Sequence, residues 1–362
     1  MTFTGFLWNR SPAPLLGIDI SSSSVKLVEL GRQRDGQLVL ERCALEPLAA
    51  GCITDGNVDQ FDAVADALRR VVRHCGTRTR QAALALPSSA VITKKITVAG
   101  DLSETELAAQ VEAEAGQYIP FSLEEVSLDF CITGPAGGDT GGREVLIAAS
   151  RKERVQDRQG LAEAAGLRPV ILDVESFASR LAATRLVEAL PTDAADASGP
   201  MVALFELGAH STGMQVLRGG EILYDRDQAF GGAQLTQQIA RTYGLSQEEA
   251  EHRKRHGGLP PEYGPSLLRP FVRGMSQDIA RALQFFFTST PFHRVDGVLL
   301  AGGCAGLPGL VEAVSRQTSF DCRLADPFTG MRRGSAVDAS GLPGQAPSYL
   351  TACGLALRRF LP

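Results

Sequence analysis

Residues 15–30, LLGIDISSSSVKLVEL, and residues 204–217, LFELGAHSTGMQVL, follow one order: an apolar strand, an acidic residue, a turn of small residues and a second apolar strand. Few residues are identical, but the pattern repeats, which points to two units built on one plan. A turn of Gly, Ser and Thr between strands offers backbone N–H groups and hydroxyls, with no bulky side chain to hold an anion away. Two such turns facing each other would clamp the phosphates of a nucleotide. Asp19 alone would repel phosphate, so its expected task is to hold Mg²⁺, through water. Further on, LLAGGCAGLPGL at residues 299–310 joins a buried strand to a helix through glycines, letting a flat base lie close to the backbone.

Outward from the first turn, strands are expected at Leu15 to Ile20, Val25 to Leu30 and Leu38 to Leu45, then a helix through Phe61, Val64, Leu68, Val71 and Cys75, and a strand at Ala82 to Leu86. Residues 88–143 read as a small inserted lobe: strand Val91 to Val98, a helix opened by a capping box of Ser103 and Glu106, and strand Val126 to Ile132. The main domain is expected to resume after the Gly-rich stretch at 134–142, with strand Glu144 to Ser150, helix Lys152 to Ala165, strand Pro169 to Asp173 and helix Glu175 to Leu190. PTDAADASGP at 191–200 reads as a linker. The organisation expected is a tail at 1–14, a first domain at 15–190, and a second at 201–362 with a subdomain at about 231–290. Phe285, Phe286 and Phe287 are expected in the core of a long helix from Ser266.

The chain has 362 residues, more than one core usually serves, with 44% hydrophobic and 21% charged residues and a net charge of −5. That charge gives no general reason to bind nucleic acid. Seven scattered cysteines without a CxxC pair fit a reducing cytosol. No stretch approaches the roughly 18 apolar residues of a membrane span, and the N-terminus lacks an export signal, so neither spanning nor export is expected. The aromatic start, with Phe3, Phe6, Leu7 and Trp8, is expected to lie on its own domain, the alternative being contact with a membrane surface or a partner. GxxxxGK[ST] is absent, which excludes a P-loop NTPase, and no GxGxxG follows the first strand.

The order of GIDISSSSVKL, LDVESFA, FELGAHSTG, FGG and LLAGGCAGLPG is similar to the phosphate 1, connect 1, phosphate 2, connect 2 and adenosine motifs of the actin-like ATPase superfamily. More narrowly, IPFSLEEVSLDF, YDRDQAFGGAQLTQQIARTYGLSQEEAE, ARALQFFF and ACGLALR resemble the PilM family of type IV pilus assembly, itself related to the division protein FtsA. The resemblance implies an α/β actin-like ATPase fold: two mixed-sheet domains with flanking helices around a nucleotide cleft, plus a small inserted α+β lobe. It implies ATP and Mg²⁺ as ligands. Asp19, Ser21, Ser22 and Lys26 match phosphate 1, with Asp19 on the metal; Glu175 matches the connect 1 acid; Glu206, Gly208, Ser211 and Thr212 match phosphate 2. Gly231 and Gly232 match connect 2, Gly302, Gly303 and Gly306 the adenosine motif, and Glu251 with Lys254 an AExxK element that reaches the ribose. The acids expected at the chemistry are Asp19, Glu175 and Glu206.

Two departures stand out: Glu206 replaces the usual phosphate 2 Asp, one methylene longer, and Ser21 stands where phosphate 1 commonly has Gly. Hydrolysis needs tighter placement of water and metal than binding does, so ATP binding with weak or absent turnover is expected. The implied role is a cytoplasmic scaffold, peripheral at the inner membrane through its partners, that binds the N-terminal cytoplasmic tail of a PilN-like membrane protein, with pilus assembly ATPases as further partners. The alternative is a sugar or acetate kinase-like phosphotransferase on the same fold. His252 and His256 lack a third metal ligand and read as an exposed helix face, and Cys304 reads as a packed thiol.

Overall fold

A computed structural model describes residues 13–136, 141–189, 199–338 and 341–361. Most of the expected tail and the linker up to residue 198 lie outside the described residues, as does part of the Gly-rich stretch at 134–142.

The first sheet grows from β1 (Leu16–Ile20), every residue of which is buried. β2 (Ser24–Arg32) pairs with it antiparallel and β3 (Leu38–Pro47) extends the meander. A hairpin of β4 (Ile53–Thr54) and β5 (Asn57–Val58) leads to α1 (Phe61–Cys75), whose Val64, Leu68, Val71 and Cys75 recur at helical spacing on the buried face. Gly76, at φ +63°, ends this helix in the left-handed conformation. β6 (Gln81–Leu86) then runs parallel to β1.

The inserted lobe has its own core of Val98, Leu107, Val111, Val145 and Ile147. It contains β7 (Ile92–Val98), α2 (Glu104–Tyr118), β8 (Val126–Pro135) and β9 (Arg143–Arg151), with sheet order β7-β9-β8. The Ser103–Glu106 capping box forms in both directions. One boundary differs from expectation: β9, read as the main domain resuming, is the central strand of the lobe, which therefore runs to Arg151. Its half-buried alternation suits either sheet, and only pairing with β7 and β8 assigns it.

α3 (Lys152–Ala164), β10 (Arg168–Val174) and α4 (Glu175–Glu188) complete the first half. The second half repeats the plan with β11 (Met201–Leu207), β12 (Thr212–Arg218) and β13 (Glu221–Gln228). There follow α5 (Ala233–Tyr243), α6 (Gln247–His256) and α7 (Arg269–Ser289), then β14 (Gly297–Ala301), α8 (Leu310–Thr318) and β15 (Cys322–Leu324). Sheet order β10-β6-β1-β2-β3 in the first half matches β15-β14-β11-β12-β13 in the second, with antiparallel and parallel pairs in the same places. The repeat seen in sequence is thus a repeat of topology. Leu235, Ile239, Met275, Ile279 and Phe286 share one core with Phe205 and Met214, so the helices between residues 231 and 290 are built onto the second sheet. Phe286 is buried, but Phe285, expected inside, is 47% exposed with the Arg226 guanidinium over its ring.

The chain then leaves the second domain, contrary to the expected boundary at 362. β16 (Arg332–Arg333) adds to the first sheet beside β3. After α9 (Leu342–Gln345), α10 (Leu350–Leu357) packs on β1 and α4. A Cβ at Gly354 would fall 1.7 Å from the Ala178 carbonyl oxygen, and one at Gly17 would fall 2.0 Å from that of Ala352. These glycines permit the close crossing. Around it, Val28 and Leu30 of the first sheet and Val202 and Leu204 of the second join one core with Ala182, Ala183 and Ala352.

Candidate functional site

The two hairpin turns share their register and their closing hydrogen bond. In the first, the Ser21 amide donates to the Ser24 carbonyl at 3.0 Å; in the second, the Gly208 amide donates to the Ser211 carbonyl at 3.0 Å. Asp19 stands two residues before the first turn and directly across the ladder from Lys26; Glu206 stands two residues before the second, across from Gly213. Lys26 Nζ lies 2.7 Å from Asp19 Oδ2 and donates to Ser21 Oγ at 2.9 Å, and both charged groups are buried. Ser21 Oγ in turn donates to the Ser24 carbonyl. Ser22 stays partly exposed near the tip of the turn.

Glu175 opens α4 at the end of β10. Burial, and then the charge of Asp19, push its carboxyl up to about 8. Burial likewise raises Glu206 to about 7, against the opposing effect of the Ser179 and Thr351 hydroxyls. Thr351 Oγ1 donates to Glu206 Oε2 at 3.0 Å and lies 3.3 Å from Ser179 Oγ, which donates to the Glu175 carbonyl at 2.7 Å. This chain of hydroxyls links α4, α10 and β11 beneath the carboxylates. Behind Asp19 sits Arg158 of α3, only 2% exposed, directed at the carbonyls of Ile20 and Gly56 at 3.5 Å. Burial lowers its guanidinium's pKa, while the charges of Glu175 and Asp19 act to raise it. Gln215 of β12 donates to the Ser176 carbonyl at 3.0 Å, and its buried Oε1 has no hydrogen-bond partner among the described residues.

On the second domain, three glycine segments meet at Gly208. The amides of Gly232 and Ala233 donate to the carbonyls of Gly208 and Ala209. A Cβ at Gly231 would fall 2.5 Å from the Ala209 oxygen, and one at Gly232 would fall 2.2 Å from Cys304 Sγ. Gly302, at φ +87°, passes so near Leu207 that a Cβ would lie 2.5 Å from its carbonyl, while Gly303 borders open space. Gly306 comes close to the Gly344 carbonyl. Ser211 is exposed on the turn, whereas Thr212 is fully buried and its hydroxyl donates to the Phe230 carbonyl, fastening the turn from beneath. Glu251 and Lys254 form an ion pair at 2.5 Å, and Thr236 Oγ1 binds both. Burial would raise Glu251, but Lys254 and Thr236 hold it at about 2. This pair is close enough to Cys304 for its charges to act on the thiol, whose pKa burial raises. Among the described residues no cluster of three ligands for a metal occurs, so His252 and His256 remain a contacting pair of rings.

Asp19, Ser21, Ser22 and Lys26 thus gather on the first turn near Glu175 and Glu206. Gly208, Ser211, Gly231, Gly232, Gly302, Gly303, Glu251 and Lys254 gather around the second. One expected role changes: Gly231 and Gly232, matched to connect 2, lie wholly within the second domain, and the element that crosses opposite α4 is α10. Sequence reasoning also missed Arg158, Ser179, Gln215 and Thr351. ACGLALR, which contains the Gly354 crossing, was the available signal for α10.

A model of the type IV pilus assembly protein PilM family matches residues 17–360. The chain belongs to the PilM family. A solved PilM-PilN type IV pilus biogenesis complex contains a chain 29% identical to this one, with a TM-score of 0.77 over 96% of this chain and 99% of that one. Ethanolamine utilization protein EutJ from Carboxydothermus hydrogenoformans, 18% identical, aligns over 96% of this chain and 90% of its own with a TM-score of 0.56. MreB5 of Spiroplasma citri, solved with ADP, is 13% identical with a TM-score of 0.50 and 94% of each chain covered. Among curated relatives, EutJ of Escherichia coli strain K12 is 29% identical over 112 residues, 31% of this chain and 37% of that protein, so the match spans about a third of the relative. The PilM family chain therefore has the actin-like ATPase fold, and no described helix is long and apolar enough to cross a membrane.

Proposed function

We propose that this chain is an ATP-binding scaffold of type IV pilus assembly, peripheral at the inner membrane, that holds the N-terminal cytoplasmic tail of a PilN-like protein. Membership of the PilM family, together with 29% identity to the PilM of a PilM-PilN complex, carries the scaffold reading and favours it over the phosphotransferase. Pilus assembly ATPases are further partners on this reading.

The residues fit Mg²⁺-ATP. Gly208, Gly231, Gly232 and Gly302 let three backbone segments pack together where any Cβ would strike backbone or sulfur, and serines at 21, 22 and 211 keep hydroxyls on the two turns. On this reading Ser21, Ser22, Gly208 and Ser211 receive the phosphates, and Gly302, Gly303 and Gly306 flank the base. Glu251 and Lys254, already immobilised by Thr236, face the ribose. Bound Mg²⁺ supplies positive charge that offsets the phosphates, with Asp19 to hold it through water and Glu175 to orient that water. Lys26, held on Asp19 Oδ2 and Ser21 Oγ beside the first turn, would add a second positive charge toward the phosphates. Burial raises Glu206 to about 7, so it is only partly ionised near neutral pH. The reading of weak or absent hydrolysis rests on its side chain being one methylene longer than the usual Asp, since turnover needs tighter placement than binding.

Two measurements test this. Asp19→Ala should weaken Mg²⁺-dependent ATP binding by about tenfold or more by calorimetry, and unchanged affinity would remove Asp19 from the site. The full chain should capture a peptide of the PilN-like N-terminal tail, measured with and without nucleotide, and failure in both conditions would refute the scaffold assignment.

A further inference from the structure

β16 brings a remote part of the chain to one end of the first sheet. Arg332 pairs with Val39 and Arg333 with Leu40, while Arg32 pairs with Leu38 across the neighbouring ladder. Strands lie about 4.8 Å apart, so the rows of Arg32 and Arg332 are separated by roughly 10 Å. Arg34 occupies the turn between β2 and β3, closed by the Gln33 amide on the Gln37 carbonyl. After α10 the chain returns to the same corner. The Phe360 ring lies under Arg32, 4.5 Å from its guanidinium carbon, and under Arg359 at 5.3 Å, and Arg359 donates to the Leu30 carbonyl at 2.7 Å.

Arg32, Arg34, Arg332, Arg333 and Arg359 therefore cluster in a protein of net charge −5. The first four are exposed. Asp35 lies 3.5 Å from Arg332, which also binds Gln33, whereas Arg34 and Arg333 form no ion pair among the described residues. Leu361, 44% exposed, extends beside the Phe360 ring. Glu41 also reaches this corner, its carboxylate beside Gly31 and Gly334. The five arginines thus outnumber the acids Asp35 and Glu41 there, and further negative charge lies in the lobe at Glu104, Glu106, Glu112, Glu114, Glu124 and Glu125.

We propose that this corner is a contact surface for anionic phospholipid headgroups. The guanidiniums are spread over strand ends and a turn instead of converging on one point, which suits an array of phosphates. Each presents a fork of donors matched to phosphate oxygens. Leu361 adds an exposed apolar side chain beside the charges, while Phe360, packed on the core, holds Arg32 and Arg359 over its ring. Charge with an apolar contact is the two-signal combination that holds a protein at a bilayer surface. A nucleic acid would use the charges but not Leu361. This surface extends the peripheral placement proposed above from indirect attachment to direct contact, and it does not require the PilN-like tail.

The test is flotation of the purified full chain with vesicles of phosphatidylcholine alone or mixed with phosphatidylglycerol. Binding should occur only to the mixed vesicles and weaken as salt rises. The double variant Arg332→Glu with Arg333→Glu should reduce it about tenfold or more. Arg34→Glu, in the turn and outside the strand pairing, should reduce it several-fold while leaving the thermal midpoint unchanged. Mg²⁺-ATP affinity and capture of the PilN-like peptide should be unaltered in these variants, so failure here is distinct from failure of the scaffold reading. Absence of binding, equal binding to neutral vesicles, or full binding by the variants would overturn the proposal. Binding to polyglutamate but not to vesicles would also overturn it and assign the patch to an acidic protein.

Discussion

The β1–β2 and β11–β12 hairpins have one backbone and two different electrostatic solutions. Each carries a carboxylate two residues before a turn closed by the same amide-to-carbonyl bond. Across the ladder from Asp19 stands Lys26, which balances its buried charge at 2.7 Å; across from Glu206 stands Gly213. Glu206 has hydroxyl contacts in place of a cation, and burial raises its pKa to about 7. The lesson concerns position more than composition: the facing strand gives Asp19 a cation at 2.7 Å and gives Glu206 none, leaving burial to raise its pKa.

The largest break in this comparison should come from Lys26→Met. It leaves Asp19 buried beside Arg158 and Glu175 without its direct counter-charge, and removing one partner of a buried pair costs about 3–5 kcal/mol. Urea unfolding at pH 7 should show that loss, and adding Asp19→Asn should restore much of it. A loss below 1 kcal/mol would mean that the pair behaves like an exposed one.

Glu206→Gln should have a smaller effect, visible mainly as a change in pH dependence. The folded pKa of Glu206 is raised from 4.5 to about 7, so the unfolded chain releases this proton first. Stability that is fully present below about pH 4.5 is lost as pH rises to about 7, and Glu175 extends the loss to about 8. The Gln variant removes the Glu206 share, making the protein about 1–3 kcal/mol less sensitive to pH between 4.5 and 7. Paired urea titrations of wild type and variant across that range measure the difference. Parallel curves would show that Glu206 is ionised throughout.

Much of this arrangement is legible in the amino-acid sequence. The hairpins can be read because buried strands appear as apolar runs, and the repeat because an acid and then a Gly- or Ser-containing turn follow the first strand in both. Phe285, expected inside with Phe286 and Phe287, is exposed: three successive residues on a helix point about 100° apart, so they do not all share one buried face. What is not legible depends on long-range pairing. TACGLALRR is apolar on most sides, so its burial is evident, but nothing local says that it packs on β1 and α4. Thr351 meets Glu206 across 145 positions, and Arg158 meets Ile20 across 138, with no motif around either. β9 likewise has an alternation that two different sheets could accept, and only its partners choose between them.

The mildest perturbation would convert the second hairpin into the first. At Gly213 a Cβ would lie 3.5 Å from Asp227 Oδ1 and 3.9 Å from Glu206 Cβ, ordinary contacts, so a side chain can begin there without moving the backbone. Gly213→Lys would place an ammonium across from Glu206, as Lys26 stands across from Asp19. Asp227 and Asp225, both raised by burial, would add negative potential that favours the cation. The expected gain is about 1 kcal/mol at pH 8, where wild-type Glu206 is mostly ionised and lacks a counter-charge. The pH-dependent loss between 4.5 and 7 should flatten, as in Glu206→Gln, but for the opposite reason: the carboxylate would be ionised over the whole range. Carbon NMR of the Glu206 carboxyl separates the two cases, because the lysine variant should titrate well below 7. If its titration stays near 7, the facing position is not what distinguishes the hairpins, and the depth of Glu206 beneath Thr351 must account for its neutrality.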